Sequence, residues 1–250
     1  MQRALQREQR AARERDAETA REALLDAAQQ IFARDGFSGA RVDDIAHQAG
    51  YNKALIFHYF DDKLGLYRAL MLRTKQYVYL RIEEAYERIF AGNGENVTAE
   101  RVAALAASYL AALFDLAAEH PEALRILAWE AAEGWQTYTS CAPSMPAAWS
   151  QRVVALLERA QAAGIVRAEL DPRLLFTTFL NLPLMHLISL PRFAAMFPDT
   201  DVTSPSAIAR GREQITDLVL RGILCPTASN SDSLPESHSQ TPLAHSEEKA

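Results

Sequence analysis

The sequence predicts an all-α protein of about nine helices: a three-helix helix-turn-helix unit at the N-terminus and a larger helical domain behind it. Three observations carry that prediction. Apolar residues recur at helical spacing through most of the chain, and no stretch alternates apolar and polar residues as a half-buried strand would. The breaks between periodic segments are short and carry helix stop and start signals, such as Asp35-Gly36, Ala49-Gly50 and Asp171-Pro172. Finally, two brief apolar-periodic runs, Val42–Ala49 and residues 53–60, are separated only by Gly50-Tyr51-Asn52, which fits the tight turn of a helix-turn-helix.

Taken in order, residues 1–18 interleave charges of both signs with little apolar stripe, and read equally as a mobile arm or a solvated helical extension. Thr19 is a candidate N-cap for a first helix whose buried stripe is Leu24, Leu25, Ala28, Ile31 and Phe32, with Gly36 as its stop. Asp43 and Asp44 fall in the first turn of the next helix, where the macrodipole favours negative charge. Gly50 suits a left-handed helix end, and the Asn52 side chain can accept a backbone N–H as the N-cap of the helix that follows. Ile56, Tyr59 and Phe60 turn that helix towards the core. Lys53, Ala54, Leu55, Phe57 and His58 are left as a face able to enter a DNA major groove.

Asp62 is placed to cap a long helix, Lys63–Phe90, followed by a break at Ala91-Gly92-Asn93-Gly94. Thr98 caps Ala99–Glu119, and Pro121 opens a helix expected over 121–133 and closed by Gly134. Residues 135–146 lack periodicity and read as a loop. Helices are expected over 147–163, from Pro172 to about residue 190, and over 206–223. From Pro226 onward Ser, Pro, Glu and His dominate, which predicts a disordered tail over 226–250. The expected division is therefore an arm at 1–18, a helix-turn-helix domain at 19–65, and a larger domain at 66–225.

Composition narrows the function classes. An apolar fraction of 49% and a charged fraction of 23% are ordinary for a soluble globular chain. Two cysteines, Cys141 and Cys225, are too few and too far apart for a disulfide framework or zinc site. With no apolar segment after Met1, the expected location is the cytoplasm. Residues 174–191 carry no charge and raise the question of a membrane span, but Asn181, Pro183, His186 and Ser189 count against a lipid-facing helix, so no membrane partner is expected. The six histidines form no HExxH or Cys–His pattern of metal spacing, and no glycine-rich phosphate loop follows a strand. Asp44 and His47 share one helix face without a third ligand, and Ser140-Cys141 has no nameable base. The expectation is a non-enzyme without metal or cofactor. Net charge is −6, and through Tyr67 the acids slightly outnumber the bases, so phosphate contacts must rest on a few placed basic groups and helix N-termini.

Residues 24–40 (LLDAAQQIFARDGFSGA), then Asp44-Ile45-Ala46, Ala49-Gly50, His58-Tyr59-Phe60 and the KLGLYRALM run from Lys63 together resemble the DNA-binding domain of TetR-family transcriptional regulators. The resemblance covers about the first quarter of the chain. It implies DNA contacts from Arg41, Asn52, Lys53, Ala54, Leu55, Phe57, His58, Tyr59 and Lys63. The chain departs from the family pattern at several of these positions: Arg41 stands where a hydroxyl residue is frequent, Ala54 where glycine is frequent, and Phe57 where tyrosine is frequent. Asp43 stands where a basic residue is frequent.

The resemblance further implies a larger domain that binds an effector and dimerises through its last two helices. Trp129, Trp135, Tyr138, Phe176, Phe179 and His186 are candidate lining residues, since aromatic groups with a few polar atoms suit a mostly apolar small molecule. The expected function is a homodimeric repressor, bound to a palindromic operator in double-stranded DNA and released by that ligand. A regulator of the same fold governed by a protein partner, or lacking an effector, is the alternative, and an all-α enzyme or adaptor is the third reading.

Overall fold

The computed structural model describes residues 2–90, 96–141 and 148–226. These fold into eleven helices: α1 (Gln2–Gly39), α2 (Val42–Ala49), α3 (Ala54–Phe60), α4 (Lys63–Phe90), α5 (Ala99–Glu119), α6 (Pro121–Ala132), α7 (Gln136–Cys141), α8 (Ala148–Ala162), α9 (Pro172–Ile188), α10 (Leu190–Met196) and α11 (Pro205–Ile223). The only β-type pairing among the described residues is a single bridge between Val166 and Leu224, which ties the end of α11 to the turn after α8. The expected break at 91–94, the end of the expected 135–146 loop and the tail from 227 lie outside the described residues.

Most helix ends follow from the sequence. Gly50 ends α2 at φ 75°, where its own N–H and that of Tyr51 return to the carbonyls of His47 and Ala46. Thr98 accepts the Arg101 N–H at the start of α5. Asp171 accepts two N–H groups ahead of Pro172 at the start of α9.

Three expectations need correction. Thr19 does not open α1, because the helix already runs from Gln2 and the Thr19 hydroxyl donates to the Arg15 carbonyl one turn back. Of the two readings of the N-terminal stretch, the helical extension is the one found: residues 2–18 are the first half of α1, which is broken only at Gly36. The stretch from 135 is not wholly a loop: α7 occupies Gln136–Cys141, too short to show periodicity but anchored by the buried Thr137 and Cys141. The helix expected to reach residue 190 stops at Ile188, and α10 leaves it at 52° after Ser189. These two extra elements raise the expected nine to eleven.

Two apolar cores result. The first joins Leu24, Ala28 and Phe32 of α1 to Ile45 of α2, Ile56 and Phe60 of α3, and Leu66, Tyr67 and Leu70 of α4, and it also takes in Ile126 of α6 and Cys141 of α7. The second is centred on α5, whose Leu110 and Leu113 pack with Ile82 of α4, Leu157 of α8, Phe179 of α9 and Ile215 of α11. α5 is long and apolar enough to cross a membrane, but half of its apolar window lies inside this core. α4 contributes to both cores.

The joint between α3 and α4 is the tightest point. Asp61 sits at φ 68°, ψ −51°, and the Asp62 N–H turns back onto the Phe60 carbonyl at 2.8 Å. The Asp62 carboxylate then accepts the Gly65 N–H at 2.7 Å and caps α4. A Cβ on Gly65 would fall 1.8 Å from the Phe60 carbonyl oxygen. Only glycine lets α4 begin this close to the end of α3. Gly65→Ala should therefore force the two helices apart at a cost of about 1–3 kcal/mol or more, lower the melting temperature by roughly 5–10 °C and impair DNA binding. A thermal melt and an operator titration of the variant check this, and wild-type values in both would contradict it.

Candidate nucleic-acid interface and ligand cavity

The helix-turn-helix presents one continuous exposed face. Arg41, Asn52, Lys53, Ala54, Phe57 and His58 are exposed on it, while Leu55 and Tyr59 are half-buried and pack against the domain core. Asn52 caps α3 as expected, its Oδ1 accepting the Ala54 N–H at 2.9 Å. Phe57 leaves 50% of its surface in solvent. An apolar ring so exposed, beside a His58 ring packed on Tyr59, suits contact with a thymine methyl or sugar edge.

The two lysines expected to meet DNA are already engaged. Lys53 Nζ lies 2.9 Å from Asp43 Oδ1, in an exposed pair that links the starts of α2 and α3. Lys63 lies over the Phe37 ring at 4.6 Å. Burial holds the Lys63 ammonium below the usual lysine range, against the opposing pull of Glu133. Neither lysine is a freely solvated charge.

Behind this face, a polar bridge that sequence reasoning missed joins α4, α6 and α7 at the edge of the first core. Glu130 of α6 is only 2% exposed. The Tyr67 hydroxyl donates to its Oε1 at 2.5 Å, and the Tyr138 N–H donates to its Oε2 at 3.0 Å. Burial and the neighbouring carboxylate raise the Tyr67 phenol far above its ordinary range, so it remains a donor. The Tyr67 ring stands edge-on to Phe32 and Phe37 in the DNA-binding core. One residue earlier on α6, Trp129 packs against Gly36 and its indole N–H reaches the Ala33 carbonyl. The only hint in the sequence was one carboxylate within the apolar run Ala128-Trp129-Glu130-Ala131-Ala132.

A cavity of about 330 Å³ lies among α4, α5, α6, α7 and α9. Met71, Thr74, Lys75 and Val78 of α4 form one wall, and Phe176, Leu180 and Leu184 of α9 form another. Of the six residues expected to line a ligand site, Trp135, Tyr138 and Phe176 reach this cavity. Trp129 sits at the α1–α6 contact, and Phe179 borders a small apolar void of about 40 Å³. His186 faces a separate, more open hollow beside α10 and α11, where burial lowers its pKa. Trp135 adopts a left-handed φ of 61° and stacks edge-on with Tyr138 at 5.8 Å, so a strained backbone carries this side of the cavity. Tyr138 thus touches the cavity with its side chain and the Glu130 bridge with its N–H. Among the described residues no group of three or more potential ligands could hold a metal ion.

Comparison with known proteins agrees with this geometry. Residues 24–70 match the family model for bacterial regulatory proteins of the tetR family, and residues 102–219 match that for a tetracyclin repressor-like C-terminal domain. The HTH-type transcriptional repressor SCO4008 of Streptomyces coelicolor is 27% identical over 162 residues, 65% of this chain and 76% of that protein. The repressor NicS of Pseudomonas putida is 30% identical over 118 residues, 47% of this chain, and the match spans 51% of NicS. The solved ketosteroid transcriptional regulator KstR2 of Mycobacterium tuberculosis superposes with a TM-score of 0.55 at 21% identity, covering 82% of this chain and 95% of that one. A TetR family transcription regulator from Marinobacter aquaeolei gives 0.60 at 19% identity, covering 85% and 98%. At these identities the two structures show a shared fold.

The Lys53–Asp43 pair makes a prediction at the DNA face. An incoming phosphate must displace the Asp43 carboxylate, and an exposed pair of this kind is worth about 0.2–1 kcal/mol. Asp43→Asn should tighten operator binding by roughly two- to fivefold, and Lys53→Ala should weaken it. In the Lys53→Ala background the Asp43 substitution should gain much less, which a double-mutant cycle of dissociation constants measures directly. A full gain without Lys53 would show that the pair has no part in DNA binding.

Proposed function

The chain belongs to the TetR family of bacterial transcriptional regulators, and from that premise we propose that it is a homodimeric repressor, released from a palindromic operator by a small, mostly apolar ligand held in the 330 Å³ cavity. DNA binding and transcriptional regulation are the family's role. The dimer, the palindrome and the ligand are this reading's own content.

The observation that carries it is the position of Tyr138. Its side chain lines the cavity, and its N–H is held by the same buried carboxylate that holds Tyr67 in the DNA-binding core. A ligand that displaces α7 or α4 therefore acts on Glu130 and through it on the seat of the helix-turn-helix. α4 is a second route, because it begins at Lys63 beside the recognition unit and lines the cavity at Met71, Thr74 and Val78. The ligand need only favour one arrangement of these contacts over the other.

Support for a dimer comes from α9 and α11. Leu174 and Met185 on α9 leave 66% and 50% of their surface exposed, and Leu218 on α11 leaves 69%. Ile215 and Val219, which share the α11 stripe, face inward instead and are buried in the chain's own core. A two-fold pairing of α9 and α11 would cover the outward leucines and set two recognition helices to read half-sites about 34–36 Å apart, or a multiple of that. Leu218→Asp should give a monomer in sedimentation that no longer binds a palindrome. A wild-type chain that sediments as a monomer at micromolar concentration overturns the dimer.

The switch is tested with operator fragments recovered from genomic DNA by the purified protein. Operator should weaken ligand affinity by the same factor by which ligand weakens operator affinity, typically about 5–150-fold. Tyr67→Phe removes a donor from Glu130 while leaving the cavity lining intact, and should shrink that factor. Equal ligand affinity with and without operator would mean that the chain binds DNA without being a ligand switch.

A further inference from the structure

The wall of the cavity holds a buried polar group that the protein leaves unused. Lys75, Tyr79 and Ser150 in the lining already have partners, and the Thr74 hydroxyl donates to the Leu70 carbonyl. Tyr109 of α5 differs. It is only 8% exposed, and no other buried residue in the described lining carries a side-chain oxygen or nitrogen. Among the described residues its hydroxyl has no hydrogen-bond partner. The oxygen is not enclosed by packing either, so the open space it meets is cavity. Tyr109 and Phe176, with ring centroids 6.4 Å apart, border both the 330 Å³ cavity and the 40 Å³ void and form the partition between them. Every other residue around the small void is apolar. A hydroxyl in this position has given up water without a protein group in exchange, and it gains when a ligand brings a partner.

Resting on the reading of this cavity as the effector site, we propose that its ligand is an uncharged carbonyl compound, a ketone or an ester, whose oxygen accepts a hydrogen bond from the Tyr109 hydroxyl. The apolar body of such a ligand lies against Leu113, Leu127, Leu180 and Leu184. Burial raises the Tyr109 pKa, so at neutral pH the phenol keeps its proton and is a donor. The same burial excludes a charged head group beside it. A carboxylate or ammonium at this depth would lose its hydration, and the one charged side chain in the described lining, Lys75, is exposed and already engaged. A plain hydrocarbon fits the walls but leaves the hydroxyl unpaired. The volume sets the size: at about 330 Å³ the cavity lies at the low end of the range for small-molecule sites, about 300–1,000 Å³, which admits a compact ring or a medium-length chain.

The test is calorimetry on the full chain at neutral pH with three probes of similar size: 4-phenyl-2-butanone, butylbenzene and 4-phenylbutyrate. The ketone should bind about three- to tenfold more tightly than the hydrocarbon, and the acid should bind more weakly than the ketone. Tyr109→Phe should erase the ketone's advantage while leaving butylbenzene affinity close to that of the wild type, which also shows that the variant is folded. Because no hydrogen bond within the chain is lost, the melting temperature of the ligand-free variant should not fall. Equal binding of ketone and hydrocarbon to the wild type overturns the proposal. So does a ketone preference that survives Tyr109→Phe, tighter binding by the acid, a clear drop in the variant's melting temperature, or no binding by any probe. Operator release is a separate readout. A ketone that binds through Tyr109 without weakening operator binding upholds the ligand class and sinks the switch. Release by butylbenzene as readily as by the ketone upholds the switch and sinks the ligand class.

Discussion

The Glu130 carboxylate is the constraint on which the two halves of this protein depend. A carboxylate at this depth is costly unless its oxygens are occupied, and each of the two is taken by a donor from a different element. The donors come from α4 and from the start of α7, so satisfying one side chain fixes the seating of α4, α6 and α7 together. Trp129, one residue earlier, fixes α6 against α1. The DNA-binding unit is consequently not hung from a linker. It shares a packed wall with the larger helical half, which is why Ile126 and Cys141 belong to its core.

Two mechanical routes then lead from cavity to DNA face. α4 runs unbroken from Lys63 to Phe90 and would transmit a tilt. The α6–α7 corner would transmit a rearrangement of hydrogen bonds. Both converge near one aromatic cluster, Phe32, Phe37 and Tyr67, with Lys63 lying over Phe37. Packed interiors of this kind shift between discrete arrangements more readily than they deform by degrees, because close-packed side chains have few intermediate fits.

What could be read from the chain alone was whatever depends on neighbours in sequence. The Gly50 helix end, the Asn52 and Asp62 caps and the Pro172 start are each decided within four residues, and each is found where expected. The exposed face of α3 followed from periodicity in the same way. What depends on distant partners was not legible. Glu130 and Tyr67 are 63 residues apart, and nothing local to either announces the other. Thr19 looked like a cap because its type suits one, yet the helix continued past it for reasons set by the residues before. α7 has too few residues to display a period, and its place is fixed by tertiary contact. The cavity was half legible: aromatic residues near the right helices could be named, but whether each faces inward depends on helix rotation, which put Phe179 and His186 elsewhere.

The Lys53–Asp43 pair has a consequence for how such a regulator behaves in a living cell. Much of the affinity of basic side chains for DNA comes from freeing the ions condensed on the phosphates, and that gain falls as salt rises. A lysine that brings its own counter-anion makes an exchange of partners instead, and the neighbouring acid left behind retains a share of the ions that would otherwise be set free. Promoter occupancy then follows osmotic fluctuation less steeply than it would with a bare basic surface.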